Sequence, residues 1–288
     1  MSKPHHKKFN VIKASGEQMI FLPEKLKHSL HRSGADDATS NQIVATIISD
    51  ASDGISTREI YKKACRLLKQ NSNQHAARYK LKHAIMELGP TGYPFEIFIG
   101  EIFKQLKYKV KTGQLIKGEC VQHEVDVVAE LGNILLFAEC KFHNKSGIKC
   151  DVKIPLYVHS RFRDIENKFS KQPATNRKLH EGWLVTNTQF SSDAIKYGEC
   201  AGLHLLGWDY PYNNGLKDMI DRMGLYPVTC LTTLLQAEKQ YLLDKYIVLC
   251  SQLLQQNILF KIPGLTTGRK ERVLKEVEGL CNKNLMPD

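Results

Sequence analysis

HEVDVVAELGNILLFAECKFH, residues 123–143, sets an aspartate, and then a glutamate and a lysine one residue apart, into two runs that are otherwise apolar. Val, Leu, Ile and Phe at this density predict strands. Leu131-Gly132-Asn133 between them predicts a hairpin of 120–129 with 133–142. Side chains alternate along a strand, so Glu139 and Lys141 project from one face while Cys140 and Phe142 project from the other. On the partner strand Asp126 shares its face with Glu124. Close, partly buried carboxylates repel one another and are costly to desolvate, and one lysine offsets only one of them. A divalent cation resolves the rest. Asp126 and Glu139 supply the hard oxygen ligands that Mg²⁺ or Mn²⁺ takes, with the backbone carbonyl of Cys140 as a further ligand. Lys141 would then orient or deprotonate the attacking water, while the metal lowers that water's pKa and neutralises a phosphorane-like transition state. The same residues also suit a plain lysine–carboxylate pair at a solvated sheet edge.

Upstream, FEIFIGEIFKQLK (95–107) lays Phe95, Phe98, Ile99, Ile102 and Leu106 along one helical stripe. Glu96 borders the stripe and Gly100 leaves room above a sheet. Glu101 lies roughly 140° further round than Glu96 and reads as solvated, so Glu96 is the helix's candidate for the site. Downstream, RFRDIENKFSKQ (161–172) offers Arg161, Arg163, Lys168 and Lys171 as DNA phosphate contacts, or as a solvated helix face. His123, Glu124 and His143 flank the hairpin as supporting candidates. Further strands at 108–113 and 182–187, helices at 161–170 and 191–201, and a short strand in HLLGWDYP (204–211) alternate in the manner of an α/β fold.

The flanks read differently. Residues 1–10 form a basic tail expected to be disordered. VIKASGEQMIFL (11–22) predicts two short strands around Ser15-Gly16, and helical patterns follow at 23–33, 37–52, 56–71 and 74–88. Ser56 and Glu59 spell a capping box at the third of these. GPTGYP (89–94) reads as a linker, and from 228 the pattern is helical again. Gly264 and Gly268 beside Arg269, Lys270 and Arg272 allow a helix-hairpin-helix-like phosphate grip, with an oligomerising or packing helix as the plainer reading. No internal repeat stands out.

Composition narrows the classes. Eight cysteines stand singly with no C-x-x-C pair, which argues for reduced thiols rather than a disulfide framework or a zinc site. A formal net charge of +11 favours a polyanionic partner, nucleic acid foremost. No apolar run reaches membrane-spanning length and MSKPHHKKF lacks a signal-peptide core, so a cytoplasmic protein with no membrane partner is expected. No GxxxxGK[ST] loop occurs, so nucleotide hydrolysis is not expected.

FE in a helix, then HEVDVVA, AECKFH, WLVTN and LLGWDYP, in that order, resemble the Mrr-like restriction endonuclease group of the PD-(D/E)xK nucleases over residues 92–227. That resemblance implies a mixed sheet flanked by helices and Mg²⁺-dependent phosphodiester hydrolysis. Its metal-binding aspartate falls on Asp126, its glutamate on Glu139, its lysine on Lys141 and its helix glutamate on Glu96; Val125 stands before the aspartate. VIKASGEQMIF, PEKLKHSL, GISTREIYKKA and AARYKLKHAI resemble the ATP-cone, a small helical nucleotide-binding module, over 11–88. Its phosphate-contacting lysines fall on Lys13 and Lys25 and its helix-start threonine on Thr57, where a helix N-terminus is a natural anion site. Lys82 is a further candidate. Met19 and Leu22 replace residues that are often polar there, and Tyr61 stands where histidine is frequent.

The organisation expected is a tail (1–10), an ATP-cone-like domain (11–90), an α/β nuclease core (91–227) and a small C-terminal helical segment (228–288). The function expected is a Mg²⁺- or Mn²⁺-dependent DNA endonuclease, regulated by ATP or dATP through a change of homo-oligomeric state, in defence against foreign DNA. Two other classes fit the same residues: a catalytically inactive nucleic-acid-binding regulator, and a nucleotide-responsive interaction protein.

Overall fold

The computed structural model describes residues 8–13, 15–145, 147–171, 179–255 and 257–281. The chain divides into two compact units, one made of residues 1–84, 230–239 and 250–288, the other of 85–229 and 240–249. Among the described residues no helix is long and apolar enough to cross a membrane, and all eight cysteines are free.

The first unit opens with β1 (Asn10–Ile12) and β2 (Gln18–Ile20), an antiparallel pair. Helices α1 (Pro23–Arg32) and α2 (Asp37–Asp50) follow, then β3 (Ile55–Ser56), which adds to β1 in parallel. Asp36 caps α2 by accepting the Thr39 N–H at 2.8 Å. The capping box read from Ser56 and Glu59 is present at the head of α3 (Thr57–Asn71), whose buried stripe is Ile60, Ala64 and Leu68. The helix expected over 74–88 is instead α4 (Asn73–Tyr79) and α5 (Leu81–Met86), with the break at Lys80, which nothing in the sequence marks. Of the residues expected in the tail, Phe9 is buried and stacks on Phe21, with ring centroids 4.8 Å apart, and Asn10 begins β1. Residues 1–7 lie outside the described residues.

The second unit is built on α6 (Tyr93–Gln105), β4 (Lys109–Lys117), β5 (Gln122–Leu131), β6 (Ile134–Lys141), β7 (Lys149–Cys150) and α7 (Lys153–Ser170). It continues through β8 (Leu179–Thr186), β9 (Gln189–Phe190), α8 (Ser192–Cys200), β10 (His204–Leu206) and α9 (Leu216–Met223). The main sheet runs β10-β8-β6-β5-β4. The β4–β5–β6 part is antiparallel, while β6, β8 and β10 are parallel, so the sheet is mixed and flanked by helices. Helices α6 and α7 cover opposite faces. On β8 a Cβ at Gly182 would lie 2.7 Å from Phe162 of α7, whereas the next residue, Trp183, meets Phe103 of α6 edge-on at 5.5 Å. The stretch expected as a linker is the entry to α6, with Gly92 as its N-cap.

The segment after α9 is shared between the units rather than standing apart as a C-terminal segment from 228. It carries α10 (Gln236–Asp244) and α11 (Thr267–Cys281). In the first unit Glu276, 2% exposed, accepts from Thr232 N–H at 2.7 Å and from Thr233 N–H at 3.0 Å. Arg269, read as part of a phosphate grip, is instead engaged with both oxygens of Glu238, at 2.6 and 2.8 Å. Lys270 lies 4.1 Å over the Phe260 ring. A guanidinium so paired is a structural tie between α10 and α11.

Candidate active site

Pairing between β5 and β6 runs from Leu131↔Ile134 to Val127↔Ala138 and stops one pair before Asp126 would face Glu139. At that fork the Asp126 carboxylate replaces the ladder, its Oδ2 accepting the Cys140 N–H at 2.7 Å. The N–H and carbonyl of a strand residue point to the same side, so the Cys140 carbonyl also faces the gap. The β4–β5 ladder is interrupted at the same level, between Thr112↔Val127 and Gln114↔Val125. There Gly113 has φ +59°, in the left-handed region that glycine takes without strain.

The interruption shifts the alternation of both strands. Before it, a Cβ at Gly100 of α6 would touch Thr112 and Val110 at 3.2 and 3.3 Å, so those β4 residues face α6. Beyond it, Ile116 joins Val125 and Phe137 in the cluster around Ile165 of α7, and His123 Nε2 meets Asp164 of α7 at 2.7 Å. Strict alternation from the sequence puts Asp126 and Glu124 on one face of a regular strand. The slip sets Asp126 at a fork between the carboxylates of Glu96, on α6, and Glu139, which faces α7.

The charges there are strained. Burial, then Glu139, pushes the Asp126 carboxyl up to about 7; the Cys140 N–H and Arg161 pull the other way, and Glu96 adds to the rise. Glu96 is also raised, by burial and then by Glu124 and Glu139. Gly92 makes room for it, since a Cβ there would stand 3.3 Å from Glu96 Oε1. Arg161 pairs with Glu139 Oε2 and also donates to the Glu124 carbonyl. The Lys141 ammonium has no hydrogen bond or ion pair among the described residues, while the Lys141 carbonyl accepts from Thr186 Oγ1 at 2.7 Å. The side chain of Asn187, 1% exposed, continues the strand pairing by accepting His143 N–H at 2.8 Å and donating to His143 C=O at 2.7 Å. Burial, then Lys141, lowers the His143 imidazole, which keeps it neutral at pH 7.

Among the described residues no group of three or more His, Cys, Asp or Glu side chains converges closely enough to hold a metal ion. The expected set needs only two carboxylates and a backbone carbonyl. It fits one hard cation: Asp126 Oδ1 and Glu139 Oε1 carry no hydrogen bond among the described residues. The mutual repulsion that raises Asp126 is what a cation would relieve.

The remaining expected residues are dispersed. Arg161 is engaged inside the site rather than offered to solvent. Arg163 pairs with Glu166, and Lys171 with Glu119; Lys168 is exposed, with no hydrogen bond or ion pair among the described residues. His123 serves structure, since Asp164 also accepts from Cys120 N–H at 2.8 Å and Val121 N–H at 3.3 Å and so ties the β4–β5 connection to α7. In the first unit Ile12 pairs with Ser56, and Lys13 and Thr57 are the next residues along each chain segment. Lys13 is bonded to Glu17 at 2.9 Å, Lys25 lies exposed in the first turn of α1, and Lys82 is on α5. Sequence reasoning missed Thr186, Asn187 and the inward turn of Arg161 and Asp164. Arg161 has a signal, since it borders the apolar stripe Val158, Phe162, Ile165, Phe169 of α7, but Lys168, seven residues on, lies on the same side and Asp164 lies further round, so helical period alone does not separate them.

A family model described as AF1548-like, C-terminal, matches residues 226–281. An uncharacterized protein of Archaeoglobus fulgidus is 36% identical over 133 residues, 46% of this chain and 71% of that protein. A crystal structure described as a protein of unknown function, AF1548, aligns with a TM-score of 0.54 at 28% identity, over 66% of this chain and 98% of that one. The MspJI restriction endonuclease in complex with a 27-mer oligonucleotide aligns over 82% of this chain and 47% of that one, at 12% identity and a TM-score of 0.33, too low to establish a common fold.

Proposed function

The chain belongs to the AF1548-like family, and from the geometry of the fork we propose that it is a metal-dependent nuclease hydrolysing phosphodiester bonds in DNA. The observation that carries the reading is the fork itself: Asp126 and Glu139 repel one another in a half-buried gap, at the end of the strand that carries Lys141, whose ammonium acts on His143 and Cys150 and has no hydrogen bond or ion pair among the described residues. A purely structural hairpin gains nothing from that arrangement. Asp126, Glu139 and the Cys140 carbonyl would hold one Mg²⁺ or Mn²⁺. When bound, the metal lowers the pKa of water and neutralises charge on the phosphoryl oxygens. Lys141 Nζ orients the water and takes or returns its proton. Glu96, raised by burial and then by its carboxylate neighbours, holds a proton or accepts one from water on the α6 side. Thr186 and Asn187 fix the end of β6, and with it the Lys141 backbone.

In this reading the first unit is an ATP-cone-like sensor. Lys13 and Thr57, each the next residue after the paired Ile12 and Ser56, contact the phosphates of ATP or dATP with Lys25 and Lys82, and binding alters self-association and so cleavage of foreign DNA. A nucleic-acid-binding regulator without activity is the second reading, favoured by the Arg161 pair that already neutralises part of Glu139. The test incubates supercoiled plasmid with the full chain and Mg²⁺, with and without ATP or dATP, beside Asp126→Asn and Lys141→Ala. Nicking or linearisation by the parent and not by the variants supports the nuclease. Full activity in both variants removes the site assignment, and binding without cleavage under Mg²⁺ and Mn²⁺ selects the regulator. Unchanged rate and oligomeric state with nucleotide would end the sensor proposal.

A further inference from the structure

Resting on the nuclease reading of this site, we propose that it takes one divalent cation and not two, because the guanidinium of Arg161 holds the second cationic position. Nucleases and phosphatases that use two ions set them about 3.5–4 Å apart and clamp the attacking and leaving oxygens between them. Such a pair requires carboxylate oxygens free on both sides. Here one oxygen of each carboxylate is taken, Asp126 Oδ2 by the Cys140 N–H and Glu139 Oε2 by Arg161. The oxygens left serve a single ion: Glu96 acts on Asp126 electrostatically, but among the described residues no group of three or more acidic, histidine or cysteine side chains is placed to hold a metal ion.

Arg161 is held as a fixed charge. Its side chain is 16% exposed, its second nitrogen donates to the Glu124 carbonyl, and the guanidinium lies 5.3 Å over the Tyr157 ring. Arginine stays charged at every working pH, and a second divalent ion at the same carboxylate would meet unscreened like charge in a half-buried setting. Arg161 therefore supplies, without a second ion, positive charge beside the phosphate on the α7 side of the fork. The glutamate pair and the phosphate contact are two uses of one planar, multi-donor group.

The test counts Mn²⁺ bound to the full chain without DNA, by equilibrium dialysis and electron paramagnetic resonance, in the parent, Asp126→Asn, Arg161→Ala and Arg161→Lys. The expected difference in stoichiometry between parent and Asp126→Asn is one ion per chain, with a spectrum of isolated Mn²⁺. Arg161→Ala should raise that difference to two and give the exchange-broadened spectrum of a close pair, and Arg161→Lys should keep it at one. A difference of two in the parent overturns the proposal and needs no folded Arg161 variant. A folded Arg161→Ala protein that still binds one ion overturns the role given to Arg161. No difference between parent and Asp126→Asn overturns this proposal together with the metal-dependent reading, whereas the preceding outcomes leave that reading standing.

Discussion

Asp126 concentrates the chemistry of the fork, and its ionisation has a sign that can be measured without substrate. Its folded pKa, about 7, lies above the ordinary 3.8, so the folded state binds the proton more tightly than the unfolded chain. Stability then falls as pH rises from about 4 to about 7 and is constant above, by up to about 1.4 kcal/mol per pH unit. Asp126→Asn keeps an acceptor for the Cys140 N–H and removes the charge. Its melting temperature in chelator should equal the parent's near pH 4 and exceed it near pH 8; an equal difference at both would contradict the shift. Lys141→Ala should cut plasmid cleavage by about 10²-fold or more while leaving Mn²⁺ stoichiometry unchanged, which separates water activation from metal holding. That Asp126 and Glu139 lie together at the end of the hairpin was legible in the sequence, because charge inside an apolar run needs a reason. Arg161 was read as surface because composition alone does not say which way a helix turns, and Asn187 was missed because a buried amide pairing with backbone leaves no pattern.

At the level of elements, the hairpin, the helix of Glu96 and the α/β alternation were all legible from period and turn chemistry. The slip at Gly113 was not: a period-two reading assumes an unbroken strand, and the sequence ended this one at 113 where it continues to Lys117. A glycine inside a strand was the available signal. Gly113→Ala has open space for its Cβ but the wrong φ, and should cost about 1–2 kcal/mol in chemical denaturation, with Gly113→Asn costing less. Gly182→Ala meets Phe162 at 2.7 Å and should cost about 1–3 kcal/mol through displacement of α7 from β8. A Gly182→Ala protein as stable as the parent would mean that this close approach is absent.

For the whole molecule, the sequence suggested four consecutive parts, and the chain instead forms two units with the late segment shared between them. Consecutive reading cannot see such sharing, because Thr232 Oγ1 is bonded to Asn73 Oδ1 at 3.3 Å and Arg78 to the Gly279 carbonyl at 3.4 Å, across 159 and 201 residues. Ending the chain after residue 229 removes these ties together with the Lys69 bond to the Thr232 carbonyl at 2.8 Å. Such a truncation should lower the first melting transition and raise protease sensitivity in residues 8–84. A net charge of +11 carries a separate expectation: DNA affinity should fall steeply between about 50 and 200 mM salt, as counterion release requires. Lys168→Ala should flatten that slope more than Arg163→Ala, since Arg163 already faces Glu166.

The hydrogen bond from the Cys140 peptide to Asp126 makes one backbone amide a reporter. Its proton is donated to a carboxylate that titrates near neutrality, so the nitrogen and proton resonances of Cys140 in an isotope-labelled sample should migrate with pH around 7 and settle when a cation arrives. A single cross-peak would then follow ionisation, metal occupancy and strand opening in solution, with no nucleic acid in the tube.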